Sequence, residues 1–298
     1  MSNFKSGFAT IVGRPNVGKS TLTNAFIGEK ASIVSNKPQT TRTNLSAIDN
    51  GEDYQIVFVD TPGMHTPHNK LGEYMNSTAG ASIADVDVVL LLVEAGREIH
   101  EIEKRVINNA AAKKVPVILV INKTDTIEKE KLLPQIEAFT KEGEFSAIVP
   151  ISALKKDGVD ALRKEILKHF DFGEPFYPTD IYADSTVREM SAEIIREKIL
   201  RFLDKEVPHG TAVEIEEMKE EDVTRIKAVI YCEKETHKPI IIGKKGETIK
   251  RIGASARRDI EALLDNKVYL ELWVKVREDW RNHGSALKEL GYTKDRGR

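Results

Sequence analysis

The octapeptide Gly13-Arg14-Pro15-Asn16-Val17-Gly18-Lys19-Ser20 constrains the fold most, because its chemistry works only between a buried strand and a helix. It has the spacing of a phosphate loop: a glycine, four variable residues, then Gly-Lys-Ser. The apolar run 8–12 reads as the strand before it, and residues 21–27 read as the helix after it. Glycines let the backbone curl so that successive N–H groups converge on phosphate oxygens, and the helix N-terminus adds partial positive charge. Lys19 then reaches the terminal phosphates and the Ser20 hydroxyl is placed for Mg²⁺. A nucleotide tail is the ligand this implies.

The base is specified further along. Asn122-Lys123-Thr124-Asp125 closes the apolar run 115–121, at the strand end where open parallel sheets bind ligands. The Asp125 carboxylate can accept from N1–H and the 2-amino group of guanine, whereas adenine has no such donors there. Sites built on bonds of this kind reject the analogue lacking them by about 10⁴-fold. Ser152 and Ala153, after the run 145–151, form a third contact, with the Ala153 N–H expected on guanine O6.

Between these motifs lie the elements that sense the terminal phosphate. Asp60-Thr61-Pro62-Gly63 ends a strand at 54–60, with Asp60 placed to hold Mg²⁺ through water and the Gly63 N–H to meet the γ-phosphate. The polar stretch 31–43 contains Thr40 and Thr41, either of which can ligate Mg²⁺ while the γ-phosphate is present; Thr41, directly before Arg42, is favoured. Five elements in this order imply GTP hydrolysis, with Lys19, Thr41 and Gly63 as the catalytic set. Met64 stands where many GTPases carry a water-orienting glutamine, and a thioether has no donor for that task. Slow intrinsic turnover is the expectation, and a sensor that binds GTP without hydrolysing it is a competing one.

The N-terminal part alternates strands and helices, with helices expected at 70–83, 99–112, 128–141 and 159–170. Asn50-Gly51 is a hairpin turn. The expected fold is therefore a phosphate-loop α/β domain whose mostly parallel sheet has one antiparallel edge strand and helices on both faces. Residues 171–178 break every pattern. Beyond them an apolar helix face at 187–203 leads to strands at 211–218 and 223–231, a Gly243-Lys244-Lys245-Gly246 turn between helices, and a strand at 267–276. The expected boundaries are a GTP-binding domain at 1–172, a linker at 173–184, a second domain at 185–280 and a tail at 281–298, mobile from 293.

The helix, strand, strand, helix, helix, strand order around Gly-x-x-Gly resembles a KH domain of type II topology, an α+β module whose glycines let single-stranded RNA approach the backbone. Lys244, Lys245, Lys250 and Arg251 are the candidate phosphate contacts, with Arg257 and Arg258 extending the charge. Residues 235–298 carry 15 Lys/Arg against 10 Asp/Glu, although the whole chain has a net charge of −2. That polarity suits a phosphate backbone. The lone Cys232 excludes an internal disulfide and reads as a small packed side chain. No signal peptide is visible and the longest apolar run, 88–93, is far too short to span a bilayer, so a cytoplasmic location is expected.

From about residue 8 to residue 280 the chain resembles the Era family, KH-domain GTPases of ribosome assembly. The resemblance implies that the KH domain, gated by GTP or GDP, binds the 3′ end of 16S rRNA on the maturing 30S subunit. It also implies K⁺ held through Asn16, and peripheral association with the cell membrane. A pocket for guanine and two phosphates should admit guanosine tetraphosphate as well. The alternative is a signalling switch whose C-terminal domain binds a protein or the membrane surface.

Overall fold

The computed structural model describes residues 4–28, 46–60, 69–71, 73, 83 and 86–292. The chain divides into two compact units, Met1–Pro67 with Gly72–Asp184, and His68–Leu71 with Ser185–Arg298.

The first unit is built on a seven-stranded sheet. Its strands are β1 (Lys5–Val12), β2 (Ser46–Asn50), β3 (Tyr54–Asp60), β4 (Val88–Glu94), β5 (Val117–Asn122), β6 (Ala147–Pro150) and β7 (Ala183–Asp184). Their order is β6-β5-β4-β1-β3-β2-β7. β1 pairs parallel to β3 and β4, β4 to β5, and β5 to β6. The helices are α1 (Lys19–Ile27), α2 (Glu101–Lys113), α3 (Leu132–Thr140) and α4 (Val159–Ile166). Residues of β4 alternate between two cores: Val88, Leu90 and Leu92 pack with Leu22 and Phe26 of α1 and Leu162 of α4. Val89, Leu91 and Val93 pack with Val106 and Ala110 of α2 and Phe139 of α3. This two-sided burial explains an apolar run without alternation, as in parallel sheets covered on both faces.

Three local details differ from the periodicity. α1 begins at Lys19 rather than residue 21, because Gly18 adopts φ 106° and starts the helix directly at the loop. α3 begins at Leu132 rather than 128, consistent with Pro134, which a helix tolerates only in its first turn. The hairpin strand β2 is antiparallel to β3, yet it is not the edge: β7 pairs beyond it through Ser46–Asp184 and Ala47–Ala183. The helix expected at 70–83 lies mostly outside the described residues.

The edge comes from the segment read as a linker, which lies against the first unit along much of its length. Gly173 donates its N–H to the Phe4 carbonyl, and the Phe8 and Phe176 rings approach to 4.6 Å. Gln55, fully buried, exchanges bonds with the main chain of Tyr177 at 2.9 and 3.0 Å. Asn50 Nδ2 donates to the Ile181 carbonyl at 2.7 Å.

The second unit comprises α5 (Val187–Phe202), β8 (Thr211–Lys219), β9 (Thr224–Cys232), α6 (His237–Ile242), α7 (Glu247–Leu264), β10 (Val268–Val276) and α8 (Gly284–Glu289). The sheet order is β10-β9-β8, with β9 antiparallel to β8 and parallel to β10. Thr186 and Glu189 form a capping box that starts α5. One face of the sheet carries Ile226, Ala228 and Ile230 against Ile195 and Ile199 of α5 and Ile252, Ala256 and Ile260 of α7. Cys232 is fully buried in this core. Residues 280–292 pack against the rest of the second unit: Trp280 donates Nε1–H to the Gly210 carbonyl at 3.0 Å and stacks on Tyr292. Ala286 and Leu287 are buried beside them.

Candidate nucleotide site and nucleic-acid interface

The motifs of the first unit gather at one edge of its sheet because each follows the C-terminal end of a parallel strand. β1 delivers the loop 13–18. β3 ends at Asp60, in register with Ile11 of β1. β5 ends at Asn122, and β6 leads into Ser152 and Ala153. The side chain of Asp60 and all of Thr41, Thr61, Pro62, Gly63 and Met64 lie outside the described residues.

The loop has the backbone a phosphate cradle requires. Asn16 has φ 66° and Gly18 φ 106°. A Cβ on Gly13 would lie 2.3 Å from the Leu92 carbonyl oxygen, and one on Gly18 would lie 2.3 Å from Asn122 Nδ2. Glycine is required at both positions, at the first for close approach and at the second also for its dihedral. Lys19 is 8% exposed, and its ammonium donates to the carbonyls of Gly13 at 3.0 Å and Arg14 at 2.9 Å. These bonds hold the charge within the concavity of the loop. Ser20 stands beside Lys19 in the first turn of α1. The donor set therefore fits a polyphosphate and its metal.

Asn122 acts as the strut of the site. It is 2% exposed. Its Nδ2 donates to the Val17 carbonyl at 2.8 Å, and its Oδ1 accepts from the Ala153 N–H at 2.9 Å. One amide thus ties the phosphate loop to the Ser152–Ala153 loop expected to meet the base. The Ala153 N–H expected on guanine O6 is accordingly already engaged with Asn122. The amide would have to share that bond with a bound base.

Asp125 is aimed by its neighbours. The Ser152 hydroxyl donates to Asp125 Oδ1 at 2.7 Å, and Lys155 Nζ stands 3.7 Å from Oδ2. The Ser152 hydrogen bond is the largest influence on its carboxyl and holds it below the usual carboxylate range. An ionised acceptor is what guanine's two donors need. Lys123 has φ 66°, and its ammonium pairs with Glu94 Oε2 at 2.9 Å. Burial pushes the Glu94 carboxyl up, but the Lys123 bond and charge together with Arg97 outweigh it and leave it low. This pair fixes Lys123 away from the Asp125 carboxylate. Thr124 closes the turn by donating both N–H and Oγ1–H to the Ile151 carbonyl.

Sequence reasoning named the candidate contact residues but not the neighbours that hold them. Glu94 and the Asn122 strut have no local signal. Lys155 had one, a cation following Ser152-Ala153.

In the second unit, the turn between α6 and α7 is built for close approach. Gly243 has φ 75° and ψ 171°, Lys245 φ 51° and Gly246 φ 79°. A Cβ on Gly243 would lie 2.2 Å from Thr248 Oγ1 and 2.8 Å from the Thr248 nitrogen. Lys244, Lys245, Lys250 and Arg251 all reach the surface. Arg251 lies over the Phe202 ring at 4.9 Å, which fixes its guanidinium beside α5. Arg257 pairs with Glu261 at 3.7 Å and belongs to the helix surface. Among the described residues no helix is long and apolar enough to cross a membrane.

Comparison with known proteins agrees with both halves. Residues 8–123 match the 50S ribosome-binding GTPase family, and residues 206–281 match the KH domain family. GTPase Era of Clostridium perfringens (strain ATCC 13124) is 52% identical over 293 residues, spanning 98% of this chain and 99% of that protein. GTPase Era of Ruminiclostridium cellulolyticum is 49% identical over 292 residues, spanning 97% and 98%. A point variant of Aquifex aeolicus Era bound to GDP·AlF₄⁻ superposes with a TM-score of 0.94 at 41% identity, covering 97% of this chain and all of that one. A structure of Era in complex with MgGDPNP and nucleotides 1506–1542 of 16S ribosomal RNA also gives 0.94, at 42% identity and 97% and 99% coverage. Two consecutive domain matches and near-full-length identity of about half make this chain a member of the Era family of KH-domain GTPases.

Proposed function

We infer that this protein binds and hydrolyses GTP and, according to nucleotide state, binds single-stranded RNA at the 3′ end of 16S rRNA through its KH unit to assist assembly of the 30S subunit. The observation that carries the nucleotide half is the Asn122 strut, which joins the phosphate loop to the guanine-reading loop within one buried hydrogen-bonded unit. For the RNA half, support comes from the exposed Gly-Lys-Lys-Gly turn and from the family's complex with that RNA. Lys19 and Ser20 hold the phosphates and Mg²⁺; Asp60, Thr41 and Gly63 complete the terminal-phosphate end. K⁺ enters beside Asn16, whose positive φ turns the phosphate loop there. The same guanine and diphosphate contacts admit guanosine tetraphosphate as a competitor of GDP. Peripheral membrane attachment, by the basic C-terminal surface, belongs to the same reading.

The test has two arms. Asp125→Asn replaces an acceptor by a donor at the base edge, so preference should pass from guanosine to xanthosine triphosphate, whose C2 carbonyl accepts that donor. GTP turnover should fall by roughly 10²-fold or more. In the second arm, an RNA copying the 3′ end of 16S rRNA is titrated with a GTP analogue or GDP bound, using the native chain and Gly243→Asp. Tight binding with the analogue, weaker with GDP and lost in the variant supports the proposal. Equal failure in both nucleotide states refutes the RNA half and favours a protein or membrane partner.

A further inference from the structure

The turn that follows β4 is held by one buried amide from the helix packed beside it. Gln135 of α3 is 8% exposed. Its Oε1 accepts from the Gly96 N–H at 2.9 Å, and its Nε2 donates to the carbonyls of Glu94 and Arg97, each at 2.9 Å. Gly96 has φ 74°, and the Arg97 N–H turns back to the Glu94 carbonyl at 3.4 Å. Three main-chain polar groups of an irregular segment are thus satisfied by a single side chain 38 to 41 residues away.

The braced turn in turn grips the start of the Asn122-Lys123-Thr124-Asp125 motif. The Ala95 N–H donates to the Asn122 carbonyl at 2.8 Å. Glu94 Oε2 meets the Lys123 ammonium at 2.9 Å, and its other oxygen stands 3.6 Å from Arg97 Nε. Lys123 holds φ 66°, a left-handed conformation that residues with a Cβ disfavour, so it persists only where neighbours hold it. The Lys123 carbonyl then accepts from the Thr126 N–H at 3.0 Å and the Thr126 hydroxyl at 2.7 Å. Those bonds close the single turn, Thr124–Thr126, that presents Asp125. An unbroken series of contacts therefore runs from Gln135 through the turn, Glu94 and Lys123 to the carboxylate. Ser152 and Lys155 steady the same carboxylate from the opposite side.

We propose that Gln135 is a positioning residue for base recognition, acting through Glu94 and Lys123 on the aim of Asp125. The inference deepens the guanine reading and rests on it. Its signature is a change in selectivity. GDP offers Asp125 two donors, N1–H and the 2-amino group, whereas inosine diphosphate offers N1–H alone. A carboxylate that loses its aim weakens two bonds to GDP and one to inosine diphosphate. A general loosening of the fold lowers both affinities alike.

Titration of the full chain with GDP and with inosine diphosphate tests this. Gln135→Met keeps an unbranched side chain of similar length and removes all three bonds. GDP affinity should fall by about fivefold or more, and the ratio of GDP to inosine diphosphate affinity by about twofold or more. Gln135→Glu keeps the shape and the Gly96 bond but sets a carboxylate oxygen against two carbonyls. It should lower the ratio in the same way, and serves if the methionine variant does not fold by circular dichroism. Glu94→Gln, on a partly exposed side chain, removes the charge that anchors Lys123 and should reproduce the pattern. Adding Gln135→Met to Glu94→Gln should then cost less than about twofold more, because both interrupt one series of contacts. An unchanged ratio in the folded Gln135 variants, an equal fall for both nucleotides, or additive effects of the two substitutions overturns the inference. The passage of Asp125→Asn to xanthosine triphosphate checks the underlying reading separately. With that passage observed, any of these three results refutes the role of Gln135 alone; without it, both fall.

Discussion

Replacing Asn122 by alanine should uncouple the two halves of the nucleotide site. The side chain is 2% exposed and makes two bonds, to the Val17 carbonyl at 2.8 Å and from the Ala153 N–H at 2.9 Å. Each bond contributes about 1 kcal/mol net, and each buried group left without a partner costs about 1–3 kcal/mol. Relaxation of both loops recovers part of this, so a loss of about 2–4 kcal/mol in stability is expected. Both loops carry the proposed nucleotide contacts, so ordering them would become part of binding. If half the loss falls on that step, affinity for GDP drops by roughly 5- to 30-fold. Asn122→Asp should be worse than alanine, because it sets a carboxylate oxygen against the Val17 carbonyl. Urea denaturation followed by circular dichroism gives the stability, and titration with a fluorescent GDP gives the affinity. Stability unchanged to within about 0.5 kcal/mol, with affinity unchanged to about twofold, would refute the strut.

Three other expectations follow from single contacts. Gly243→Ala forces a Cβ to 2.2 Å from Thr248 Oγ1 at φ 75°, so RNA binding should be lost while GDP titration is unchanged; retained RNA binding would refute the close-approach reading. Arg163→Met strips Asp49 of a guanidinium at 2.7 Å and should cost about 3–5 kcal/mol. Burial already pushes the Asp49 carboxyl up despite Arg163, and losing the arginine raises it further. Since a raised carboxyl favours the protonated fold, the variant's deficit should grow as pH rises through the native carboxyl's already raised range, measured by urea denaturation across pH. Glu217 is lowered to about 2 by hydrogen bonds from Lys219 and Lys227. It therefore contributes stability above its ordinary value of 4.5, lost as pH falls toward 2. Carboxyl NMR should place its midpoint there in the native chain and nearer 4.5 in Lys227→Met or high salt, since the pair is exposed.

The local chemistry of this protein is written in short contiguous words. A phosphate loop, Asn-Lys-x-Asp and Gly-x-x-Gly each occupy fewer than ten residues, and each requires its backbone and side chains at fixed spacing. Their positions after strands followed from apolar runs, because burial on both faces removes alternation. Element order around the Gly-Lys-Lys-Gly turn was legible for the same reason.

How these words are held together became visible only in three dimensions. Asn122 meets Val17 at a separation of 105 residues and Ala153 at 31. Arg163 reaches Asp49 across 114 residues, and Gln55 holds Tyr177 across 122. Nothing in local periodicity records such partners, since they arise only when the strand order brings distant segments side by side. The stretch 173–184 looked like a linker because it has no period of its own. Its order comes from hydrogen bonds offered by the sheet edge, and those exist only after the sheet has formed. Residue order therefore set which ligand chemistry is possible and which strand ends carry it. The fold chose which side chains brace those ends.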